Sequence, residues 1–202
     1  MEPEIERRLV QRIKAGDESA FDLVYEAYRH RLFGFLCRLT RNRDTAEDLL
    51  EETWVRAVRR LDTLRDETRL GAWLFAVARH QFLSYRRLQA PVAASVGDLD
   101  PLADVADPGP SPFDMAAAGE MDRRLERGLA ALSISYREVL ILVGVHGLTP
   151  TEAAEVCDVT PDALRQRLLR ARLQLTRWLQ HEDPAGQTAD TKDDRHGRRS
   201  IR

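Results

Sequence analysis

The chain has 202 residues, a net charge of −2, 43% hydrophobic and 32% charged residues. This length allows one large domain or two small ones. The near-zero net charge excludes a nonspecific polycation, so any contact with nucleic acid has to come from local segregation of charge. Two distant cysteines, Cys37 and Cys157, exclude a disulfide scaffold and favour burial as small apolar side chains. Without a signal peptide or an apolar run near the ~18 residues of a membrane span, we expect a soluble, cytoplasmic protein.

The first 39 residues predict two helices. Ile5, Leu9 and Ile13 form the apolar side of a short helix that Gly16 ends, and Asp17 caps the next one. Aromatic and aliphatic residues then recur with helical spacing and are expected in a core: Phe21, Val24, Tyr28, Leu32, Phe35 and Leu36.

A third helix is expected to start at Asp44, with Glu47 completing an Asp-initiated capping box. Its predicted buried side consists of Ala46, Leu50, Thr53, Ala57 and Leu61. Four acids crowd its N-terminal half and three arginines its C-terminal half: Glu47, Asp48, Glu51, Glu52, Arg56, Arg59 and Arg60. The helix dipole favours this polarity, but neighbouring carboxylates repel one another. A solvated helix and a surface for a basic partner both remain open.

Aromatic and basic side chains alternate in the next predicted helix, LGAWLFAVARHQFLSYRRL. The aromatics are Trp73, Phe75, Phe82 and Tyr85; the polar residues among them include Arg69, Arg79, His80, Gln81, Arg86 and Arg87. Part of this helix is expected to belong to a core, Trp73 and Val77 first. The other aromatics suit single-stranded nucleic acid, because bases stack on aromatic faces at ~1–3 kcal/mol each while guanidiniums bind phosphates.

Composition changes abruptly at residues 89–122, which contain seven acids, five prolines and no Lys or Arg. This composition predicts a flexible acidic linker between two domains. Helical spacing resumes near Arg123. From about Glu182 the tail has almost no apolar residues, which predicts disorder, and its arginines are expected to be solvated rather than bound to nucleic acid.

The stretch from Leu148 to Trp178 predicts two helices joined by a tight turn. Thr149 and Glu152 form a capping box, and Thr160 followed by Pro161 repeats the start signal. One apolar stripe of the second helix contains Leu164, Leu168, Ala171, Leu175 and Trp178. Its other faces hold Arg165, Arg167, Arg170, Arg172 and Arg177. The pattern predicts a helix-turn-helix whose second helix enters a major groove; the alternative is a helical hairpin with a solvated cationic face.

Two segments resemble one family. AEDLLEETWVRAVRRLDTLRDETRLGAWLFAVAR resembles the second conserved region of bacterial RNA polymerase sigma factors of the extracytoplasmic-function group. YREVLILVGVHGLTPTEAAEVCDVTPDALRQRLLRAR resembles their fourth region. The resemblance implies an all-α fold of two small helical domains, divided as region 2 (1–88), acidic Pro-rich linker (89–122), region 4 helix-turn-helix (123–181) and disordered tail (182–202).

The resemblance also implies three sets of contacts. Core polymerase would be bound by Glu47, Asp48, Glu51 and Glu52. The −10 promoter element would be opened and recognised by Arg65, Trp73, Arg79, His80, Tyr85, Arg86 and Arg87. The −35 element would be bound by Thr160, Arg165, Gln166, Arg167, Arg170 and Arg172. The acidic linker would thread the polymerase channels in place of nucleic acid.

The implied partners are bacterial RNA polymerase core, promoter DNA and an anti-sigma factor, without direct membrane insertion. No catalytic residue, metal or cofactor is expected. Departures from the family pattern at His80, Glu51, Leu64, Asp158, Asp162, Ala163, Val143 and Gly144 bear on promoter preference rather than on the class.

Two other classes are considered. A stand-alone dimeric helix-turn-helix regulator would use residues 148–178 and leave the acidic and aromatic segments without a role. An enzyme lacks support because the sequence shows no Gly-rich phosphate loop, metal-ligand cluster or nucleophile–base pairing.

Overall fold

The computed structural model describes residues 2–61, 64, 69–89 and 119–181. Over these ranges the chain forms α-helices and one π-helical turn, which confirms the all-α prediction. The elements are α1 (Pro3–Lys14), α2 (Glu18–Thr40), α3 (Arg43–Arg60), α4 (Leu70–Gln89), α5 (Glu120–Ala131), α6 (Ile134–Leu140), the π-turn (Ile141–Val145), α7 (Pro150–Cys157) and α8 (Pro161–His181). The predicted tail, most of the predicted linker and Arg65 lie outside the described residues; α5 already begins at Glu120.

Helices α1–α4 form an N-terminal body, and the predicted turn between α1 and α2 is present. Gly16 has a φ of 87°, and the Asp17 carboxylate accepts a hydrogen bond from the backbone N–H of Ala20. The predicted start of α3 at Asp44 is wrong. Arg41 ends α2 in the left-handed conformation, which leaves Asn42 extended, and the Asn42 side chain caps α3 by accepting from Thr45 N–H at 2.9 Å. Asp44 therefore lies in the first turn.

The core of the N-terminal body is built around aromatic side chains. Phe35 and Phe75 meet edge to face with ring centroids 5.3 Å apart, and Tyr28 is fully buried. The buried residues of α3 are Leu49 and Trp54 as well as Ala46, Thr53 and Ala57, and Leu61, directly after the helix, is buried too. Leu50, which the sequence placed on the buried side, is only half-buried, because the core stripe runs one residue earlier at Leu49.

Helices α5–α8 form a C-terminal body that ends in a helix-turn-helix. The capping box of α7 is complete: Thr149 N–H donates to Glu152 Oε2 at 2.8 Å, and Glu152 N–H donates to Thr149 Oγ1 at 3.2 Å. Thr160 Oγ1 accepts from Ala163 N–H at the start of α8. The apolar stripe of α8 is buried in its first half, at Leu164, Leu168 and Ala171, and half-buried at Leu175 and Trp178.

The two bodies lie directly against each other. Helix α4 packs on α7, and α2 packs on α6. Their buried side chains form one continuous apolar core. Among the helices in the described ranges, none has both the length and the apolar character of a membrane span.

Candidate nucleic-acid and partner interfaces

The outer face of α3 is an acidic surface with apolar residues beside it. Glu47, Asp48, Glu51 and Glu52 are all exposed. Asp48, Glu51 and Glu52 line a groove together with Val55, Arg56, Arg59, Arg60 and Gln81. Val55 and Val58 are 52% and 56% exposed, which is high for apolar side chains. A face with carboxylates at one end and exposed valines beside them suits a basic partner helix.

One acidic residue of this face is tied to the neighbouring helix. Gln81 of α4 is buried, donates to Glu52 Oε2 at 3.2 Å and accepts from Arg56 Nη1 at 2.8 Å. Gln81 therefore links the Glu52 and Arg56 side chains of α3 to α4 and fixes the position of the Glu52 carboxylate.

Helix α4 offers a smaller aromatic surface than the sequence predicted. Phe75 and Phe82 are in the core, at 0% and 1% exposure, so they cannot stack on bases. Their spacing with Ala78, at i, i+3 and i+7, is that of a buried helix stripe. Trp73 and Tyr85 remain half-buried and pack against the core with one face.

The basic residues of α4 divide into two groups. His80 and Arg87 are exposed, and Arg86 is half-buried, so these three can meet a nucleic-acid strand. Arg79 differs because its Nε donates to Glu138 Oε1 of α6 at 2.6 Å, and its side chain is only 11% exposed. The structure thus separates Arg79 from the neighbours with which it was grouped.

The predicted DNA-binding face of α8 is on the surface. Thr160, Arg165, Gln166, Arg170 and Arg172 are exposed, whereas Arg167 is half-buried. Asp162 forms a salt bridge with Arg165 one turn away, so this acid holds an arginine. The same helix exposes Leu169 and Leu173, at 60% and 51%, one turn apart. The i, i+4 spacing of these two leucines outside the buried stripe is present in the sequence, but it predicted no role for them.

Two buried charged residues of α6 were missed. Arg137, 2% exposed, donates to the carbonyls of Leu129, Ala130 and Leu132 at the end of α5. Glu138, 0% exposed, faces Arg79. Burial raises the pKa of Glu138 and the guanidinium of Arg79 opposes that rise. The available signal was a charged pair directly before the apolar run Val139–Val143.

His146 was missed as well. Its backbone N–H donates to Ile141 O across the π-turn, and its ring lies 4.6 Å from the Phe75 ring and 6.1 Å from Phe35. Its carbonyl accepts from Arg31 Nη2 at 2.7 Å. Burial first, then Arg31 and Arg38, lower the pKa of His146 from 6.5 to about 3, so the imidazole is neutral.

Comparison with known families assigns both bodies. The model of Sigma-70 region 2 matches residues 24–91, and that of Sigma-70, region 4, matches residues 122–175; together they cover more than half of the chain. The chain belongs to the sigma-70 family. It is an extracytoplasmic-function (ECF) sigma factor, a promoter-recognition subunit that binds RNA polymerase and directs transcription initiation, as the resemblance predicted.

Relatives support this assignment over most of the sigma factor's length. The ECF RNA polymerase sigma factor SigW of Bacillus subtilis is 25% identical, over 89% of this chain and 98% of its own. The sigma factor RpoE of Bartonella quintana, solved in complex with the anti-sigma factor NepR, is 28% identical, with a TM-score of 0.61 over 79% of this chain and 96% of its own. CnrH, solved in complex with the cytosolic domain of CnrY, shares the fold at 22% identity, a TM-score of 0.66 and coverage of 88% and 99%.

Proposed function

We propose that α3, α4 and α8 provide the three contacts by which this ECF sigma factor starts transcription. The observation that supports this most is their placement: the two family matches contain all three charged faces, and each face lies on the surface of its body. We propose the division into region 2 (1–88), linker (89–122), region 4 (123–181) and tail (182–202). The matches to residues 24–91 and 122–175 and the linker's change in composition support it.

Core polymerase binds at the acidic face of α3. Glu47, Asp48, Glu51 and Glu52 present negative charge to a basic helix, and Val55 and Val58 supply apolar contact beside them. Salt bridges at a rim mainly fix orientation and speed association, while apolar burial contributes affinity.

The −10 element meets α4 and the segment before it. An opened strand needs faces on which bases stack and cations for its phosphates. Trp73 and Tyr85 offer partly exposed rings, and His80, Arg86 and Arg87 offer polar groups beside them. The family resemblance places His80 at the pocket that receives a flipped base of the −10 element. We expect His80 to determine which base this pocket prefers. Arg79 and Arg65 complete this set.

The −35 element meets the N-terminal half of α8. Gln166 is suited to adenine and the arginines to guanine or phosphate in a major groove. The set is Thr160, Arg165, Gln166, Arg167, Arg170 and Arg172. The Thr160 hydroxyl oxygen already accepts a hydrogen bond as the cap of α8. Its O–H group is therefore left to donate to a phosphate at the N-terminus of the helix.

The sigma factor itself is non-catalytic, since RNA synthesis belongs to the core polymerase, and it acts in the cytoplasm, where that polymerase is found. An anti-sigma factor is a further partner of this chain. The complex of the Bartonella sigma factor RpoE with the anti-sigma factor NepR supports this.

In-vitro transcription tests the proposal. The full chain is added to sigma-free bacterial core polymerase on fragmented genomic DNA, and transcript starts are sequenced. We expect discrete starts that share −35 and −10 elements and that are absent without the chain. Duplex binding by the chain alone, without polymerase-dependent starts, would favour a stand-alone regulator instead.

A matched pair of variants tests the polymerase contact in the same assay. Asp48→Ala removes one carboxylate of the α3 face, and Asp22→Ala removes an exposed carboxylate of α2. We expect Asp48→Ala to weaken core binding by ~0.5–2 kcal/mol while start sites stay the same, and Asp22→Ala to change neither. Equal core affinity of the two variants would remove α3 from the interface.

A further inference from the structure

Helix α1 precedes the residues that match the region 2 family model, yet it contacts the chain on both sides of the connection between α3 and α4. The Lys14 ammonium at the end of α1 donates to the backbone carbonyl of Leu64 at 2.6 Å. The Leu64 side chain is buried, and its N–H donates to Leu61 O at 3.0 Å directly after α3. Lys14 therefore holds the point at which the chain leaves α3.

The other side of the connection is held by the Glu6 carboxylate of α1. Glu6 is buried, at 3% exposure, and its Oε2 accepts from Arg69 Nε at 3.3 Å. Nη1 of Arg69 pairs with Glu152 of α7 at 3.2 Å, so the guanidinium is held on two sides. The backbone of Arg69 begins α4, because its carbonyl accepts from Trp73 N–H at 3.0 Å. Glu6 therefore acts on the first turn of α4, next to one of the partly exposed rings proposed for the −10 strand.

A buried hydroxyl fixes the Glu6 carboxylate in this position. Tyr28 Oη of α2 donates to Glu6 Oε1 at 2.5 Å, and the tyrosine is fully buried. The same hydroxyl lies against the first turn of α4, where a Cβ on Gly71 would come within 2.9 Å of it. Burial first, and then Glu6, raise the pKa of Tyr28, so the hydroxyl keeps the proton that it donates. Rotation of Glu6 away from Arg69 would leave a buried charge without its counter-ion, which is costly.

The polar contacts of α1 exceed what its attachment to the N-terminal body requires. Leu9 and Val10 already bury the apolar side of the helix. Glu6 and Lys14 lie two turns apart on α1, and their partners Arg69 and Leu64 are five positions apart in sequence. Because one rigid helix holds both partners, the distance between the end of α3 and the start of α4 is fixed.

We propose that α1 positions the −10 surface: Lys14 holds Leu64 and Glu6 holds Arg69, so that the start of α4 is ordered before the strand binds. This rests on the proposed role of α4 in binding the −10 strand. Lys14 and Glu6 are positioning residues, since each acts through the group that it holds. A surface that is already ordered binds more tightly, because no ordering cost is subtracted from the binding free energy. Loss of either contact weakens strand binding and leaves the polymerase face of α3 and the −35 face of α8 unchanged.

Substitutions at Lys14 test the contact at the end of α3. Lys14→Met keeps the apolar stem of the side chain and removes the ammonium. Lys14→Arg is the conservative variant, because a guanidinium can still donate to the Leu64 carbonyl. Arg8→Met is the matched control, since it removes the same charge from the same helix at an exposed residue that pairs with Glu4 of α1.

Glu6→Gln tests the contact at the start of α4. The glutamine has nearly the shape of the glutamate, and its side-chain oxygen can still accept from Tyr28. It has no negative charge for the guanidinium of Arg69. The variant therefore removes the attraction to α4 and keeps the contact with α2.

Each variant is assayed as holoenzyme with bacterial core polymerase. A fluorescent oligonucleotide with the non-template −10 sequence found by transcript mapping measures strand binding, and permanganate reactivity of unpaired thymines measures promoter opening. We expect Lys14→Met and Glu6→Gln to bind the oligonucleotide about three- to tenfold more weakly than wild type, the range of one lost hydrogen bond. Promoter opening should fall with it. Lys14→Arg and Arg8→Met should stay near wild type, and core affinity and −35 duplex affinity should be the same for every protein.

The outcomes separate this inference from the proposed function. If Lys14→Met and Glu6→Gln bind the strand as wild type does, while wild type initiates transcription, the positioning role is wrong and the sigma function stands. If Arg8→Met loses as much as Lys14→Met, the loss is nonspecific charge and the positioning role is again wrong. A parallel fall in core affinity or in the melting temperature by circular dichroism would mean that α1 only stabilises the body, which also overturns the inference. If wild type initiates nothing, the proposed function fails first.

Discussion

At the scale of single residues, Asp158 forms the corner of the helix-turn-helix. It adopts a φ of 54° and a ψ of 50°, the left-handed conformation, and its N–H closes α7 by donating to Glu155 O. This conformation costs a residue with a Cβ about 1–2 kcal/mol, less for Asp, and nothing for glycine. The corner sets the angle at which α8 leaves α7, and thus the angle at which α8 meets DNA.

Substitution at Asp158 should follow backbone strain. We expect Asp158→Gly to keep or raise the free energy of unfolding by up to about 1 kcal/mol, and Asp158→Val to lower it by ~1–3 kcal/mol, since a β-branched side chain fits this conformation worst. Urea denaturation of both variants measures the difference. If Val is tolerated as well as Gly, the turn is not strained as described.

Gln166 offers a test of base recognition on α8. Gln166→Ala removes the side-chain amide. We expect it to weaken the binding free energy by ~1–3 kcal/mol on promoters with the preferred −35 base and to leave it unchanged on promoters with another base at that position. Gln174→Ala is the control, because Gln174 is an exposed residue of the same type two turns further along α8. Filter binding to a panel of single-base −35 variants reads out both. A uniform loss across the panel would make Gln166 a phosphate contact.

Local hydrogen bonds explain which residues the sequence could predict. The caps at Asp17, Thr149 and Thr160 join residues three positions apart, so the sequence contains both partners. Asn42 was missed because Asn42 and Asp44 are both good caps, and the choice depends on the left-handed conformation of Arg41 before them.

At the scale of elements, α5 and α8 cross closely at a glycine. A Cβ on Gly128 would lie 2.7 Å from Leu175 Cδ1 and 2.9 Å from Trp178 Cε3, which is closer than carbon atoms can approach. The half-buried end of the α8 stripe therefore has a partner, and that partner is the backbone of α5. The absence of a side chain at 128 keeps the long end of α8 attached to the C-terminal body.

Gly128→Ala should reveal this crossing. Overpacking costs ~1–3 kcal/mol, while alanine returns about 1 kcal/mol of helix propensity, so we expect a net loss of up to about 2 kcal/mol in the free energy of unfolding. Gly144→Ala is the control, because a Cβ there meets nothing within 4 Å. Guanidinium denaturation compares the two variants. Equal stability would mean that α8 moves aside at no cost.

Helical periodicity predicted most of the helices, but the buried face of α4 was not recognised. On α4 the alternation of aromatic and basic residues suggested a surface, whereas the spacing of Phe75, Ala78 and Phe82 identifies a buried stripe. Both patterns are present in the same residues, and burial decides between them because a phenylalanine gains ~1.5–3 kcal/mol from leaving water.

At the scale of the whole molecule, the contacts between the two bodies could not be predicted. They join Arg31 to His146, Arg38 to Glu126 and Arg79 to Glu138, pairs that are 59 to 115 residues apart in sequence. The sequence around either residue of a pair does not identify its distant partner. A charged residue in an apolar helix, such as Glu138, indicates only that some partner exists.

Protonation of His146 should make the stability of the folded chain sensitive to acid. In the folded chain burial lowers the pKa of His146 to about 3, and the charged groups facing it are Arg31 and Arg38 of α2, which also disfavour protonation, while α4 presents the Phe75 ring. In the unfolded chain the imidazole protonates below its ordinary pKa of 6.5. The contribution of His146 to the free energy of unfolding is therefore complete above pH 6.5 and is lost as the pH falls from 6.5 towards 3. Each pH unit in that window favours unfolding by roughly tenfold.

His146→Phe separates this effect from other titrations. Phenylalanine keeps a ring between Phe35 and Phe75 but cannot bind a proton. Between about pH 7.5 and pH 5.5 we expect the wild-type free energy of unfolding to fall by about 1.4 kcal/mol more than that of His146→Phe. Urea denaturation at the two pH values measures the difference. If both proteins lose stability equally, His146 is protonated in the folded chain as well, and the ring is not enclosed between the two bodies.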